Sequence, residues 1–334
     1  MENLLISWQE FLRGKRKRKD VAEFSLRFSD NIFLLHQELK NKAYRHGGYQ
    51  AFKINDPKPR QIHKAGVRDR LVHHAIYRIL YPYFDRKFIF DSYSCRVGKG
   101  THRAINRFRD FGRIVSKNNT RTCWILKCDI RKFFASINHG VLKNILEKYI
   151  RDEDVLWLLA QVIDSFDSTE NGSGFRVPLT SLRTGKPGMI EKRGLPLGNL
   201  TSQLLVNIYM NELDQFAKRE LKTKYYLRYA DDFAVFHPDR KYLEYLIPKI
   251  SEFLGSKLKL ALHPDKVFIK ALNAGVDFLG WTHFPRHRVL RTATKRRMLK
   301  KLKHKSKPEV VASYLGLILH GNTYKLLLSI KRLS

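Results

Sequence analysis

The sequence predicts an α/β (α+β) protein, an antiparallel sheet with helices packed on one face. Three observations point there. Apolar residues recur at helical spacing through the first fifty residues, two β-rich segments carry carboxylates at their ends, and the last fifty residues return to a helical, strongly basic pattern.

At the N-terminus, Leu4, Leu5, Trp8, Phe11 and Leu12, and then Phe24, Phe28, Ile32 and Leu35, fall on single helical faces, which predicts two or three amphipathic helices. Between them lies Lys15-Arg16-Lys17-Arg18-Lys19. Such a run suits nuclear import or phosphate contact as well as a solvated loop, and it is given no specific role. Residues 122–130 are β-rich and end in Asp129, after which the pattern turns helical. Residues 165–194 are rich in Gly, Pro, Ser and Thr, which predicts a loop or short hairpin inserted in the fold rather than a domain boundary. Residues 194–203 open a helix whose apolar stripe is Val206, Met210, Leu213 and Ala217. Two strand-like runs in residues 225–236 flank Ala230-Asp231-Asp232, the form of a β-hairpin whose turn projects two carboxylates. From Arg286 onward the chain is dense in Lys and Arg and then apolar at 314–319 and 326–330, a small basic helical appendage. No repeat of fixed period and no low-complexity tract is present.

Composition narrows the partner. Lys and Arg number 64 against 31 Asp and Glu, a net charge of +33, and 43% of the residues are apolar, enough for a substantial core. A charge that large calls for a polyanion. The basic residues run along the whole chain rather than one amphipathic helix, which favours nucleic acid over a membrane surface. Cys95, Cys123 and Cys128 form no CxxC pair, so neither a disulfide framework nor a zinc site is expected and a reducing cytosol fits. No apolar run reaches the roughly 18 residues that span a bilayer, and no basic-then-apolar leader opens the chain. The expectation is a soluble protein that is not secreted.

Asp-Asp at a hairpin turn is ordinary turn chemistry. Here, however, aromatic and β-branched residues on both sides indicate a buried hairpin, where adjacent carboxylates repel unless cations are bound. Asp129, at the end of a buried strand, is costly to place unless something positive meets it. Three carboxylates on adjacent strands suit two Mg²⁺ ions about 4 Å apart, one activating a hydroxyl and the other stabilising a leaving phosphate.

At this point the sequence resembles a family. Tyr229-Ala230-Asp231-Asp232 is similar to the YxDD motif of reverse transcriptases, and Asp129 with Phe133-Phe134 resembles their DIxxFF strand. The resemblance implies that Asp129, Asp231 and Asp232 are metal ligands, with the Ile130 carbonyl a further one. Lys58-Pro59-Arg60-Gln61-Ile62 with Arg68-Asp69-Arg70 looks like the first fingers motif, which implies that Arg60 and Lys58 meet the incoming triphosphate. Residues 92–96 and 98–102 look like the second motif. Lys266 is similar to the lysine proposed to protonate pyrophosphate, and Phe278-Leu279-Gly280-Trp281 looks like the primer grip. Phe134 stands where the family sets a bulky aromatic against the sugar, which implies preference for deoxynucleotides. These matches run collinearly from about residue 52 to 284, though any one of them recurs by chance.

The resemblance implies a right-hand polymerase fold: fingers from 1–120 with 171–195, palm from 121–170 and 196–284, and a helical thumb from 285–334. It also implies RNA template, DNA primer and dNTPs as partners, two Mg²⁺ ions as cofactors, and Arg291, Lys295, Arg296 and Lys300 along the template–primer backbone. Leu197-Gly198 with Ser202-Gln203 departs from the QGxxxSP of most reverse transcriptases and matches the (I/L/V)GxxxSQ of diversity-generating retroelement enzymes. The basic segment near residue 15 and the context of Pro57 are similar to that family too. Its members copy RNA with errors at adenines and work with a small basic oligomeric accessory variability protein, and they are prokaryotic or phage-encoded, hence cytoplasmic. Leu197 would then replace a glutamine that lies against the nascent base pair. Group II intron and retron enzymes are the nearest alternatives, but only about fifty residues follow Trp281 and the retron VTG signature is not found. A catalytically dead RNA-binding scaffold is the non-enzymatic alternative, and the intact Asp129, Asp231 and Asp232 argue against it.

Overall fold

The computed structural model describes residues 1–55, 59–168, 191–303 and 308–331; Lys58 and most of the inserted loop, 169–190, lie outside them. In chain order the elements begin with α1 (Glu2–Leu12), α2 (Lys19–Leu26), α3 (Phe28–Lys40), β1 (Tyr49–Ile54), β2 (Arg60–Ala65), α4 (Val67–Asp85) and α5 (Thr101–Val115). There follow β3 (Trp124–Cys128), α6 (Phe133–Ser136), α7 (His139–Glu147), α8 (Glu153–Asp164), α9 (Leu200–Gln215), β4 (Tyr226–Tyr229), β5 (Asp232–His237) and α10 (Arg240–Leu258). Last come β6 (Phe268–Ala271), β7 (Val276–Phe278), β8 (Trp281–His283), β9 (Arg288–Leu290), α11 (Thr292–Lys303), α12 (Pro308–Ile318) and α13 (Tyr324–Lys331). No described helix is long and apolar enough to cross a membrane.

The chain forms two compact units. The first comprises Met1–Ile89, Ile130–Asp214 and Glu252–Ala261. Its N-terminal helices bury one face each: Leu4, Trp8 and Phe11 of α1, Val21 of α2, and Ile32 and Leu35 of α3. Trp8 stacks on Phe11 and Phe28 at 5.6 and 5.2 Å, which ties α1 to α3. Asp20 accepts from both Lys64 and Arg70 at 2.5 Å, fixing α2 to β2 and α4. The basic run 15–19 forms the turn between α1 and α2, mostly exposed as a solvated loop requires. The helix expected from 194 starts only at Leu200. The preceding backbone is diverted into tertiary hydrogen bonds, Gly194 N–H to Ile137 O and Leu195 N–H to Phe134 O, both 2.8 Å. Nor is α9 one-sided: Thr201, Ser202, Asn207, Asn211 and Asp214 are buried along with its apolar stripe.

The second unit comprises Phe90–Asp129, Gln215–Ser251 and Leu262–Ser334. Its four-stranded sheet has the order β4-β5-β3-β6, with every pairing antiparallel. The sheet's core includes Ile125, Leu227, Ala234 and Phe236, continuous with Ala104, Phe108 and Phe111 of α5. Strands β7-β8-β9 form a second antiparallel sheet. The basic segment after Arg286 is helical in α11 to α13, but Arg288–Leu290 pairs with β8 as a strand. Alternation over three residues is too short to read in a run of basic residues.

Candidate active site

Chain order alone would not bring Asp129 to Asp231 and Asp232; strand register does. Cys128 pairs with Phe233 in the β3–β5 ladder, so the next step of that register sets Asp129 opposite Asp232 at the sheet's end. Tyr229 pairs with Asp232, which closes β4–β5 over two residues, Ala230 and Asp231. Ala230 has φ +56°, a conformation that favours glycine, so the turn holds local strain where the carboxylates project.

Two ammonium groups meet this centre. Lys266 lies in a short 3₁₀ turn, Pro264–Lys266, whose N-cap His263 accepts from Asp265 N–H. Its Nζ donates to Asp129 Oδ1 at 2.9 Å, while His263 N–H holds the Asp129 carbonyl at 2.8 Å. Nothing in the motifs points to the second cation. Lys127, in the central strand β3, donates to Asp232 Oδ1. The one clue in the sequence is alternation: two residues before Asp129 on a strand, Lys127 faces the same side. Burial pushes Asp232 up to about 6 against the pull of Lys127, and the Asp231 and Asp129 charges add to the rise. Asp231 is also raised, first by burial and then by Asp129.

A buried arginine braces the turn. Arg228, fully covered, donates to the Ala230 carbonyl at 3.0 Å and to Ser92 Oγ at 3.1 Å. Its backbone N–H and C=O bond Asp91 O and Tyr93 N–H, both at 2.9 Å, and Thr101 Oγ1 donates to Tyr229 OH at 3.1 Å. The segment resembling the second motif therefore supports the YADD turn.

The residues expected to meet the nucleotide lie in the first unit. Arg60 is exposed at the start of β2, paired with Ile54 of β1. Phe134 is half-buried in α6, edge-to-face with Phe133 at 5.5 Å. Leu197 is tied to β2, the strand that Arg60 opens: His63 N–H donates to Leu197 O and Asn199 Nδ2 donates to His63 O, both at 2.9 Å. Gly198, at φ +109°, faces Ile62 so closely that a Cβ would meet its Cγ2 at 2.7 Å, which explains glycine here. Ile130 follows Asp129 and is buried.

The residues resembling a primer grip form the β7–β8 hairpin, in which Phe278 pairs with Trp281 over the turn Leu279-Gly280. Phe278 stacks on Phe108 at 4.8 Å, and Trp281 packs so tightly on Gly321 that a Cβ there would come within 2.0 Å of its ring. Both side chains are core. Arg291 pairs with Asp277 at 2.9 Å, and Lys295, Arg296 and Lys300 are exposed along α11.

Among the described residues no three Asp, Glu, His or Cys side chains converge closely enough to hold one ion. The chemistry of Asp129, Asp231 and Asp232 nevertheless fits Mg²⁺. They are hard oxygen donors, and Asp231 and Asp232 are raised first by burial and then by the neighbouring carboxylates, both penalties on negative charge that a divalent cation would relieve. Engaging Asp129 would require its pair with Lys266 to open.

Residues 53–283 match the family described as reverse transcriptase (RNA-dependent DNA polymerase). Protein YkfC of Escherichia coli (strain K12) is 26% identical over 257 residues, covering 67% of this chain and 61% of that protein. Group II intron-encoded protein LtrA of Lactococcus lactis subsp. cremoris is 25% identical over 181 residues, 52% of this chain and 25% of that protein. Apo telomerase from Candida tropicalis superposes with a TM-score of 0.53 at 12% identity, over 76% of this chain and 50% of that one, a likeness of fold alone. The chain thus spans less than two thirds of the length of each of these proteins. With its antiparallel sheets, it has the right-hand polymerase fold. Because the matched span runs from β1 to β8 and includes all three carboxylates, the chain belongs to the reverse transcriptase family.

Proposed function

We propose that the chain is an RNA-directed DNA polymerase that makes cDNA by two-metal nucleotidyl transfer. The observation that supports this most is the gathering of Asp129, Asp231 and Asp232 at one end of an antiparallel sheet, inside the family match. Asp129, Asp231 and Asp232 would hold Mg²⁺, with the Ile130 carbonyl a further donor. When bound, the ions would activate the primer 3′-hydroxyl and stabilise the leaving pyrophosphate. Lys266, already hydrogen-bonded to Asp129, supplies a proton to that pyrophosphate. Arg60 and Lys58 neutralise triphosphate charge, and Phe134 closes the sugar pocket against a 2′-hydroxyl. Arg291, Lys295, Arg296 and Lys300 track phosphates, contacts that position without reading bases. In this reading residues 1–120 and 171–195 are fingers, 121–170 and 196–284 palm, and 285–334 thumb. The direct test is extension of a DNA primer on an RNA template by the purified chain with Mg²⁺ and dNTPs. Incorporation dependent on the RNA is the expected result, and RNA binding without incorporation would leave only the scaffold.

Leu197-Gly198 with Ser202-Gln203 further supports a diversity-generating retroelement enzyme acting in the cytoplasm with a small basic accessory protein. Leucine at 197 packs but cannot hydrogen-bond. A lost hydrogen bond of roughly 0.5–1.5 kcal/mol permits up to about a tenfold loss of discrimination. The likeness to LtrA favours a second reading, a group II intron-type enzyme. Sequencing cDNA separates them: errors concentrated at template adenines, reduced in Leu197→Gln, support the first, and uniform low error supports the second.

A further inference from the structure

We propose that Lys127 is a built-in counter-ion of the carboxylate centre, which holds Asp232 when no divalent cation is bound and competes with the cation for that carboxylate. The inference rests on the polymerase reading above. Its ground is a contrast between the two lysines. Lys266 is 43% exposed on a short turn and leaves Asp129 at little cost. Lys127 is only 8% exposed, in a strand paired on both sides, with Ala234 across one ladder and Phe268 across the other. Its ammonium lies 5.5 Å from the Phe278 ring centroid, so apolar surface borders it. A buried ammonium without a partner is strongly destabilising, and Asp232 is the partner available.

The three carboxylates are therefore not equivalent. Asp232 carries a resident cation, Asp129 a removable one, and among the described residues no Lys or Arg ion-pairs with Asp231. For Mg²⁺ to be held, Asp231 would have no ion pair to give up, Lys266 would have to release Asp129, and Asp232 would be shared with a lysine whose burial leaves it no exit. Lys127 thus moderates the grip on the metal and keeps the sheet end from repelling itself apart without it. It acts as a positioning residue, through Asp232 and not on substrate.

The test is thermal melting of the full chain without nucleic acid, in EDTA and across a MgCl₂ series, repeated with CaCl₂. Lys127→Met should melt lower than wild type in EDTA and reach half of its Mg²⁺-induced shift at about tenfold lower Mg²⁺, because the competitor is gone. Lys127→Arg should keep the wild-type midpoint, and Lys127→Met/Asp232→Asn should recover the EDTA melting temperature. A midpoint in Lys127→Met that is unchanged or higher overturns the proposal, since a packing role would not move it and an orienting role would weaken binding. Should Lys127→Met not fold, Asp232→Asn and Asp231→Asn decide the matter. The proposal expects Asp232→Asn to raise the midpoint at least tenfold less than Asp231→Asn, and equal effects overturn it. Primer extension by wild type keeps the two levels apart. Its absence indicts the polymerase reading, whereas extension with an unmoved midpoint indicts Lys127 alone.

Discussion

The β4–β5 and β7–β8 hairpins both close over two residues, and both begin the turn with a non-glycine residue at positive φ, Ala230 at 56° and Leu279 at 49°. In sequence both resemble reverse transcriptase motifs. In the first hairpin the motif's carboxylates stand half-buried at the end of the sheet, and the turn is supported by Arg228 and Thr101. In the second the motif's aromatics point inward, Phe278 onto Phe108 and Trp281 onto Gly321, so the same kind of turn is anchored by the motif itself. A run of letters shared with a family can therefore record chemistry in one hairpin and packing in another. Burial tells them apart.

That difference predicts opposite responses to truncation. Trp281→Ala should cost about 3–5 kcal/mol in denaturant unfolding, the usual loss for a large buried aromatic. A loss below 1 kcal/mol would mean that Trp281 is held for contact with a strand and not for packing.

The second hairpin should also be the more acid-sensitive. His283, in β8, is buried with Nε2 unpartnered, and burial and then Arg288 push it down to about 3. Between about 3 and the ordinary 6.5 the unfolded chain binds the extra proton. Stability should therefore fall as pH drops through that window, by up to about 1.4 kcal/mol per pH unit from this group. Replacing it by His283→Leu should flatten the slope measured by urea melts between pH 4 and 6.5, and an unaltered slope would assign the acid sensitivity elsewhere.

Beyond the turn of the second hairpin, Arg291 N–H donates to Gly280 O and leads into α11, whose exposed cations are read as phosphate contacts. Lys295→Gln, Arg296→Gln and Lys300→Gln together should reduce the slope of log affinity against log salt by about 2–3, at about 0.7–0.9 per contact. Titration of one RNA–DNA duplex over a salt series gives the slope, and no change removes α11 from the interface.

The smallest effect is expected in the turns themselves. Ala230→Gly relieves a positive φ with little side chain to lose and should stabilise the fold by up to about 1 kcal/mol. Leu279→Gly relieves the same angle but forfeits packing against the core, so it should not stabilise. Equal gains at both positions would erase the contrast in how the turns are anchored.

Much of this was legible beforehand, for physical reasons. The N-terminal helices, the strand ending in Asp129 and the YADD hairpin follow from periodicity, which buried faces impose directly. The side chains that hold the carboxylate turn did not. Lys127 and Arg228 sit in strand runs where a cation reads as a solvent-facing residue, and only the register of β3 against β5 and the approach of residues 91–93 reveal that both are buried. The late start of α9 and the strand at Arg288–Leu290 likewise depend on tertiary hydrogen bonds, which leave no periodic trace over so few residues.

The claim at the centre is that the β4–β5 turn exists for metal chemistry. Asp231→Asn, assayed in one preparation for RNA-templated primer extension with Mg²⁺, RNA affinity and melting temperature, tests it most directly. Extension should fall to background while RNA affinity stays within about twofold, because affinity rests on phosphate contacts spread over many Lys and Arg. The melting temperature in EDTA should hold or rise as a raised, buried carboxylate is neutralised. Extension persisting near the wild-type rate in a folded, RNA-binding variant would contradict the account.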